Sequence, residues 1–286
     1  RHRYDPRFMH PRAHDRPLRV VLFTDTLADV NGVSRFIRTI AATARDTGRE
    51  LHVVTSTRLD CPPGANIHNV ATRYARAMPA YPDLELAIPN TPRLWRLADQ
   101  LQPDAVHLST PGPVGTAGWR YARRRGLPAL GTYHTDFPAY IDHLFENDAF
   151  TWLTRWWMNR FYRPLARVFS RSRDYADILR AMGIDERSII RLLPGIDTDT
   201  FHTRFHDPAV WDRFPAVRTD APKLLYVGRV SVEKNLPMLT RTWPRIRAAC
   251  AERGVHPQLI VVGGGPYRDE MERALSETIE SVTNAD

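Results

Sequence analysis

From Arg19 onward the chain alternates short apolar, β-branched runs with longer amphipathic stretches, and this rhythm constrains the fold more than any other feature of the sequence. Short apolar runs bounded by turn residues read as strands, and a 3.6-residue apolar period between them reads as helix. The pattern predicts strands over 20–24, 51–55, 105–108, 129–133, 167–170 and 189–193, with helices over 33–47, 91–100, 114–125, 149–162 and 174–182. Each strand is a continuous apolar run, as expected where helices cover both faces of a parallel sheet. The predicted class is therefore α/β, built from βα units.

The rhythm breaks at Pro194-Gly195-Ile196-Asp197 and gives way to an aperiodic stretch rich in Asp, Pro, Phe, His and Arg, reaching Pro222. It then resumes, with strands expected over 223–227 and 258–262 and helices over 236–253 and 267–279. The organisation that follows is a disordered leader over 1–17, a first domain over 18–195, a linker over 196–221 and a second domain over 222–286. Two βα units cannot cover both faces of a sheet, so the second domain is expected to be incomplete or to need a partner chain.

Composition narrows the function. With 43% hydrophobic and 25% charged residues the chain is a globular protein, not a disordered one. No apolar run approaches the roughly 18 residues of a membrane span, and the first residues lack a signal-peptide pattern, so the expected location is the cytoplasm. Cys61 and Cys250 stand far apart without a CxxC pair or a histidine cluster, which suggests neither a disulfide framework nor a zinc site. The net charge of +8 and pI near 9.9 favour a phosphate-rich partner. Dispersed arginines without a nucleic-acid motif argue against nucleic acid as that partner. Lys223 and Lys234 are the only lysines, so each stands out as a place where a compact ammonium is retained over a guanidinium fork.

Four loops carry chemistry, each at the end of a predicted strand, where open α/β sheets bind ligands. The first runs from Thr24-Asp25-Thr26 to Asn31-Gly32-Val33, where Gly32 permits close approach of an anion to a helix N-terminus. The second, 228–235, carries Arg229 and Lys234, two cations able to neutralise a diphosphate. The third, 131–137, holds His134, able to bond a reacting sugar or leaving phosphate, and Asp136, able to orient it or the acceptor. The fourth is Gly263-Gly264-Gly265-Pro266, suited to a nucleotide but equally to a tight strand-to-helix turn.

The ordered segments TDTLADVNGVSR, GTYHTDFPAY, SRSRDYADIL, LLPGIDTDTF, LLYVGRVSVEKN and VVGGGP, spread over 19–275, resemble the GT-B glycosyltransferases. Within these they resemble the large retaining family, glycosyltransferase family 4, that includes bacterial lipid-directed mannosyltransferases and sulfoquinovosyl-type enzymes. The resemblance implies two facing Rossmann-like domains with a donor held in the cleft. It further implies that Gly32 meets the donor phosphate, that Arg229 and Lys234 grip the pyrophosphate with Gly264 and Gly265 beside them, and that His134 lies next to the transferred sugar. Asp25, Asp136 and Tyr140 become acceptor-side candidates. The implied reaction moves a hexose, with mannose as a candidate, from a nucleoside-diphosphate sugar to a lipid or glycolipid, with no metal and no other cofactor. The alternative is a non-catalytic nucleotide or anionic-lipid binding remnant.

Family members also carry two glutamates eight positions apart on a later helix. Glu272 and Glu280 match that spacing but follow Gly265-Pro266 too closely, and a glutamate-bearing helix surface yields such a spacing by chance. Leu153, Trp157, Phe161 and Leu165 form a stripe flanked by arginines, read first as a helix packing on its sheet and second as contact with an anionic membrane at its inner face.

Overall fold

The computed structural model describes residues 16–29, 31–78, 81–134, 148–193, 195 and 197–276. The chain divides into two compact units, Arg1–Pro194 and Gly195–Asp286.

The first unit is built on a seven-stranded parallel sheet of β1 (Val20–Phe23), β2 (Leu51–Thr55), β3 (Ile67–Asn69), β6 (Ala105–Leu108), β7 (Ala129–Tyr133), β8 (Arg167–Ser170) and β9 (Ile189–Arg191). Their order is β3-β2-β1-β6-β7-β8-β9. The order reverses direction between β1 and β6, which opens a crevice at the carboxyl ends of those strands. Alternation along β1 sends Val21 and Phe23 into one core and Leu22 into another, so both faces are covered. On Leu22's side, Ile37 and Ala41 of helix α1 (Gly32–Asp46) close the core. On the other side lie α2 (Thr91–Leu101), α3 (Pro113–Arg125), α4 (Asp148–Tyr162) and α5 (Arg173–Ala181), through residues such as Leu94, Val114, Phe161 and Leu179.

Helix ends follow side-chain chemistry. Asn31 caps α1 by accepting from Ser34 N at 2.8 Å, and Ser172 caps α5 by accepting from Tyr175 N at 3.1 Å. The α3 N-cap, Gly112, has no side chain to offer, and a distant carboxylate fills that role, as described below.

The eight predicted strands are all present, β1 and β9 ending one and two residues sooner than expected. Three strands were not anticipated. They are β3 and an antiparallel hairpin of β4 (Thr72–Met78) and β5 (Tyr81–Pro89). The hairpin mixes charged residues and proline with apolar ones and leaves Tyr74, Leu86 and Ile88 exposed, so no apolar run announces it. Of the expected leader, residues 1–15 lie outside the described residues, while Arg16 is held to Asp104 by two 2.9 Å bonds.

The expected stripe on α4 divides. Trp157 and Phe161 pack into the core with Met158 and Tyr162, and Leu165 joins them from beyond the helix end. Leu153 instead faces solvent with Phe150, Trp152 and Trp156, each at least half exposed.

The second unit opens with 3-10 turns at Thr203–Phe205 and Pro208–Arg213. A parallel pair, β10 (Lys223–Val227) and β11 (Gln258–Val262), follows with α6 (Leu236–Ala251) and α7 (Arg268–Ser276). Trp243, Leu236, Met271 and Leu275 form its core with Tyr226. Leu225 and Val227, which alternate with Tyr226 along β10, are 50% and 68% exposed, so the described residues of this unit leave much of the opposite face of the pair open. No helix among the described residues is long and apolar enough to cross a membrane.

Candidate active site loops

In the first unit, β1, β6, β7 and β8 are neighbours, and the residues leaving their carboxyl ends gather at one mouth. Asp25, just past β1, accepts from Thr110 Oγ at 2.6 Å and from the amides of Val114 and Gly115 at 2.6 and 3.2 Å. Its own amide donates back to Thr110 Oγ at 2.8 Å. The carboxylate is thus the missing cap of α3, satisfying N–H groups that the helix leaves open and meeting its positive end. Burial raises its pKa, and the bonds from Thr110, Val114 and Gly115 oppose that rise. Asp25, expected on the acceptor side, has its oxygens committed to α3.

His134 follows β7. Its Nε2 lies 3.1 Å from Ser109 Oγ at the end of β6, and its Nδ1 is buried without a hydrogen-bond partner among the described residues. Phe36 of α1 meets the imidazole edge-on at 5.5 Å between ring centres. Burial, then the neighbouring His107 and the positive charge of Arg171, push its pKa down to about 3. The ring is therefore neutral at physiological pH, with one nitrogen held by Ser109 and the other able to bond a ligand hydroxyl. Below it, His107 Nε2 lies 2.7 Å from Thr132 Oγ.

Gly32 is the first residue of α1, and a side chain there would meet nothing within 4 Å. Packing within the protein therefore does not require a glycine at this position. Asp136 and Tyr140 lie outside the described residues.

In the second unit, the loop after β10 lies against the loop after β11. Val230 N donates to Gly264 O at 2.8 Å, and Tyr267 N to Val230 O at 3.0 Å. Gly263 and Gly265 take φ of +138° and +152°, and a Cβ at either would come within 2.0 or 2.3 Å of the carbonyl oxygen of Gly228 or Val230. Both are glycine because the strap between loops is this tight. Gly264 meets nothing within 4 Å. Tyr226 Oη donates to Arg229 O at 2.7 Å, fixing the backbone that carries the arginine. The Arg229 guanidinium lies 3.8 Å from Glu233. Lys234 is exposed and has no carboxylate within ion-pair distance among the described residues. Between them, Ser231 is fully buried, and its Oγ has no hydrogen-bond partner among the described residues.

Glu272 forms an ion pair with Arg268 one turn away at 2.8 Å, an ordinary helix-surface contact, and Glu280 lies outside the described residues. Sequence reasoning placed His134, Arg229 and Lys234 at strand ends but passed over Phe36, Ser109, Thr110 and Arg171. The last three also sit just past strand ends, a positional signal that could have found them; Phe36, inside a helix, offers none.

Comparisons with known proteins bear on the whole arrangement. The chain is 26% identical to sulfoquinovosyl transferase SQD2 of Arabidopsis thaliana over 94% of its own length and 51% of that protein's. It is 28% identical to a GDP-mannose-dependent alpha-mannosyltransferase of Mycobacterium tuberculosis over 92% of this chain and 67% of the relative. Identity to an alpha-monoglucosyldiacylglycerol synthase of Streptococcus pneumoniae is 24%, covering 89% and 58%. The chain thus spans about half to two thirds of the length of these relatives. A solved sucrose-phosphate synthase from Thermosynechococcus elongatus superposes with a TM-score of 0.67 at 17% identity, over 94% of this chain and 70% of that one, which shows a shared α/β, GT-B fold. The model of Glycosyltransferase Family 4 matches residues 30–200, well over half the chain. With strand order, loop placement and this match in agreement, the chain belongs to Glycosyltransferase Family 4.

Proposed function

We propose that this chain belongs to a retaining hexosyltransferase that moves a hexose, mannose first among the candidates, from a nucleoside-diphosphate sugar to a lipid or glycolipid. The observation that carries this reading is the loop after β10, where Arg229 and Lys234 stand at a strand's carboxyl end with a buried Ser231 hydroxyl between them, the Lys234 ammonium and that hydroxyl having no partner among the described residues. Two cations there can stabilise the charge that grows on a departing nucleoside diphosphate. The relatives' names supply the chemical classes, a GDP-mannose donor in one and a diacylglycerol-linked sugar in another.

In this reading the anomeric carbon–oxygen bond to the diphosphate breaks as the acceptor oxygen bonds to the same carbon on the same face. The acceptor's proton passes to a donor phosphate oxygen. Gly32 keeps the start of α1 open to the donor phosphate, Gly264 keeps the loop after β11 open to the nucleotide, and neutral His134 offers Nδ1 to a sugar hydroxyl. The reaction takes no metal, since Arg229 and Lys234 supply the positive charge. The exposed Phe150, Trp152, Leu153 and Trp156 of α4, with Arg155 exposed among them, support peripheral contact with an anionic membrane, where a lipid acceptor would be met.

Transfer from radiolabelled GDP-mannose or UDP-glucose to a diacylglycerol or glycolipid acceptor tests this. Lys234→Ala should lower turnover at least a hundredfold, and EDTA should leave wild-type turnover unchanged. Full activity in Lys234→Ala would remove the assignment. Donor binding without turnover on any acceptor would favour the binding remnant.

A further inference from the structure

Arg171 is unlike the other half-buried arginines among the described residues. Arg19, Arg229 and Arg268 each lie within 4.0 Å of a carboxylate, while Arg171 has no such partner among the described residues. It is half-buried, with its guanidinium 5.7 Å from the centre of the Phe36 ring. That same ring meets His134 at 5.5 Å. The register explains the meeting, because Tyr133 pairs with Ser170 across β7 and β8, so His134 and Arg171 are the next residues off the two strand ends. A cation, a half-buried imidazole whose buried Nδ1 has no partner among the described residues, and an aromatic floor therefore form one cluster in the first unit.

A partly desolvated guanidinium without a counter-ion is unfavourable by itself, and stacking on Phe36 offsets only part of that cost. A bidentate oxyanion is the ligand that its fork fits best. We propose that Arg171 recognises an anionic group, a phosphate or carboxylate, on the acceptor, and so selects charged over neutral acceptors. This rests on the glycosyltransferase reading, in which the donor's phosphates are held by Arg229 and Lys234 of the second unit. Arg171 is a specificity residue in this account, and His134 bonds the hydroxyl neighbouring the anion.

The test uses the full chain and two probes, methyl α-D-glucopyranoside 6-phosphate and the neutral methyl α-D-glucopyranoside, with GDP as a third titrant. The wild type should bind the phosphorylated glycoside at least tenfold more tightly than the neutral one, with the preference falling as salt rises. Arg171→Met, which keeps the stem on Phe36 and drops the charge, should erase the preference without changing the affinity for GDP. Arg171→Lys should keep part of it, and serves where the methionine variant does not fold. Equal wild-type affinities, binding of neither glycoside, or a preference that survives Arg171→Met would each overturn the proposal. Loss of GDP binding in Arg171→Met would overturn it too, by giving the residue to the donor's phosphates. Failure of the wild type to bind GDP at all would strike the glycosyltransferase reading, whatever the glycosides do.

Discussion

At position 32 an added Cβ would meet nothing within 4 Å, and at position 265 it would lie 2.3 Å from the carbonyl oxygen of Val230. The same residue type thus answers to two different demands. Gly265→Ala forces a strained φ and a backbone collision, and should cost about 2–3 kcal/mol of stability by chemical denaturation. Gly32→Ala lies in ordinary helical backbone, so it should leave stability unchanged or raise it by up to about 1 kcal/mol. If the start of α1 receives the donor phosphate, that well-folded variant should nevertheless bind nucleoside diphosphate at least tenfold more weakly. Unaltered nucleotide affinity in Gly32→Ala would remove the glycine from the donor site.

Among the elements, α3 depends on a carboxylate from β1's loop, not on its own N-cap residue. Asp25→Ala would leave the Val114 and Gly115 amides and the Thr110 hydroxyl without their acceptor. The expected loss is about 3 kcal/mol in urea unfolding, with Asp25→Asn losing less. A variant as stable as wild type would show that α3 does not need this tie. The dependence also marks the limit of sequence reading. Strands such as 51–55, 105–108 and 129–133 were legible to the residue because burial on both faces demands unbroken apolar runs. The β4–β5 hairpin was not, because Tyr74, Leu86 and Ile88 stand exposed among charged neighbours and no period results. At the candidate site, proximity to a strand end is the signal that singles out His134, Arg229 and Lys234. The pairing of Asp25 with residues 110–115, and of His134 with Phe36 and Arg171, comes from strand order, which periodicity does not encode.

For the molecule as a whole, the half-buried histidines couple stability to pH. Burial pushes His107 down to about 4, so the fold keeps it neutral while the unfolded chain takes up a proton below about 6.5. Its folded pKa is depressed, so the stability it contributes is fully present above about 6.5 and is lost as pH falls towards about 4. At most about 3 kcal/mol is involved. Melting followed from pH 7.5 to pH 4.5 should show a fall that His107→Gln lessens; identical slopes in both proteins would contradict this. Function is a separate matter from the first unit's stability, and it turns on the loop after β10. Calorimetric titration of the 286-residue chain with GDP and with UDP, beside the double variant Arg229→Ala with Lys234→Ala, addresses it most directly. Saturable binding of one nucleotide by the wild type and at least a hundredfold loss in the variant are expected. Binding that the double variant retains, or no binding of either nucleotide by the wild type, would contradict this.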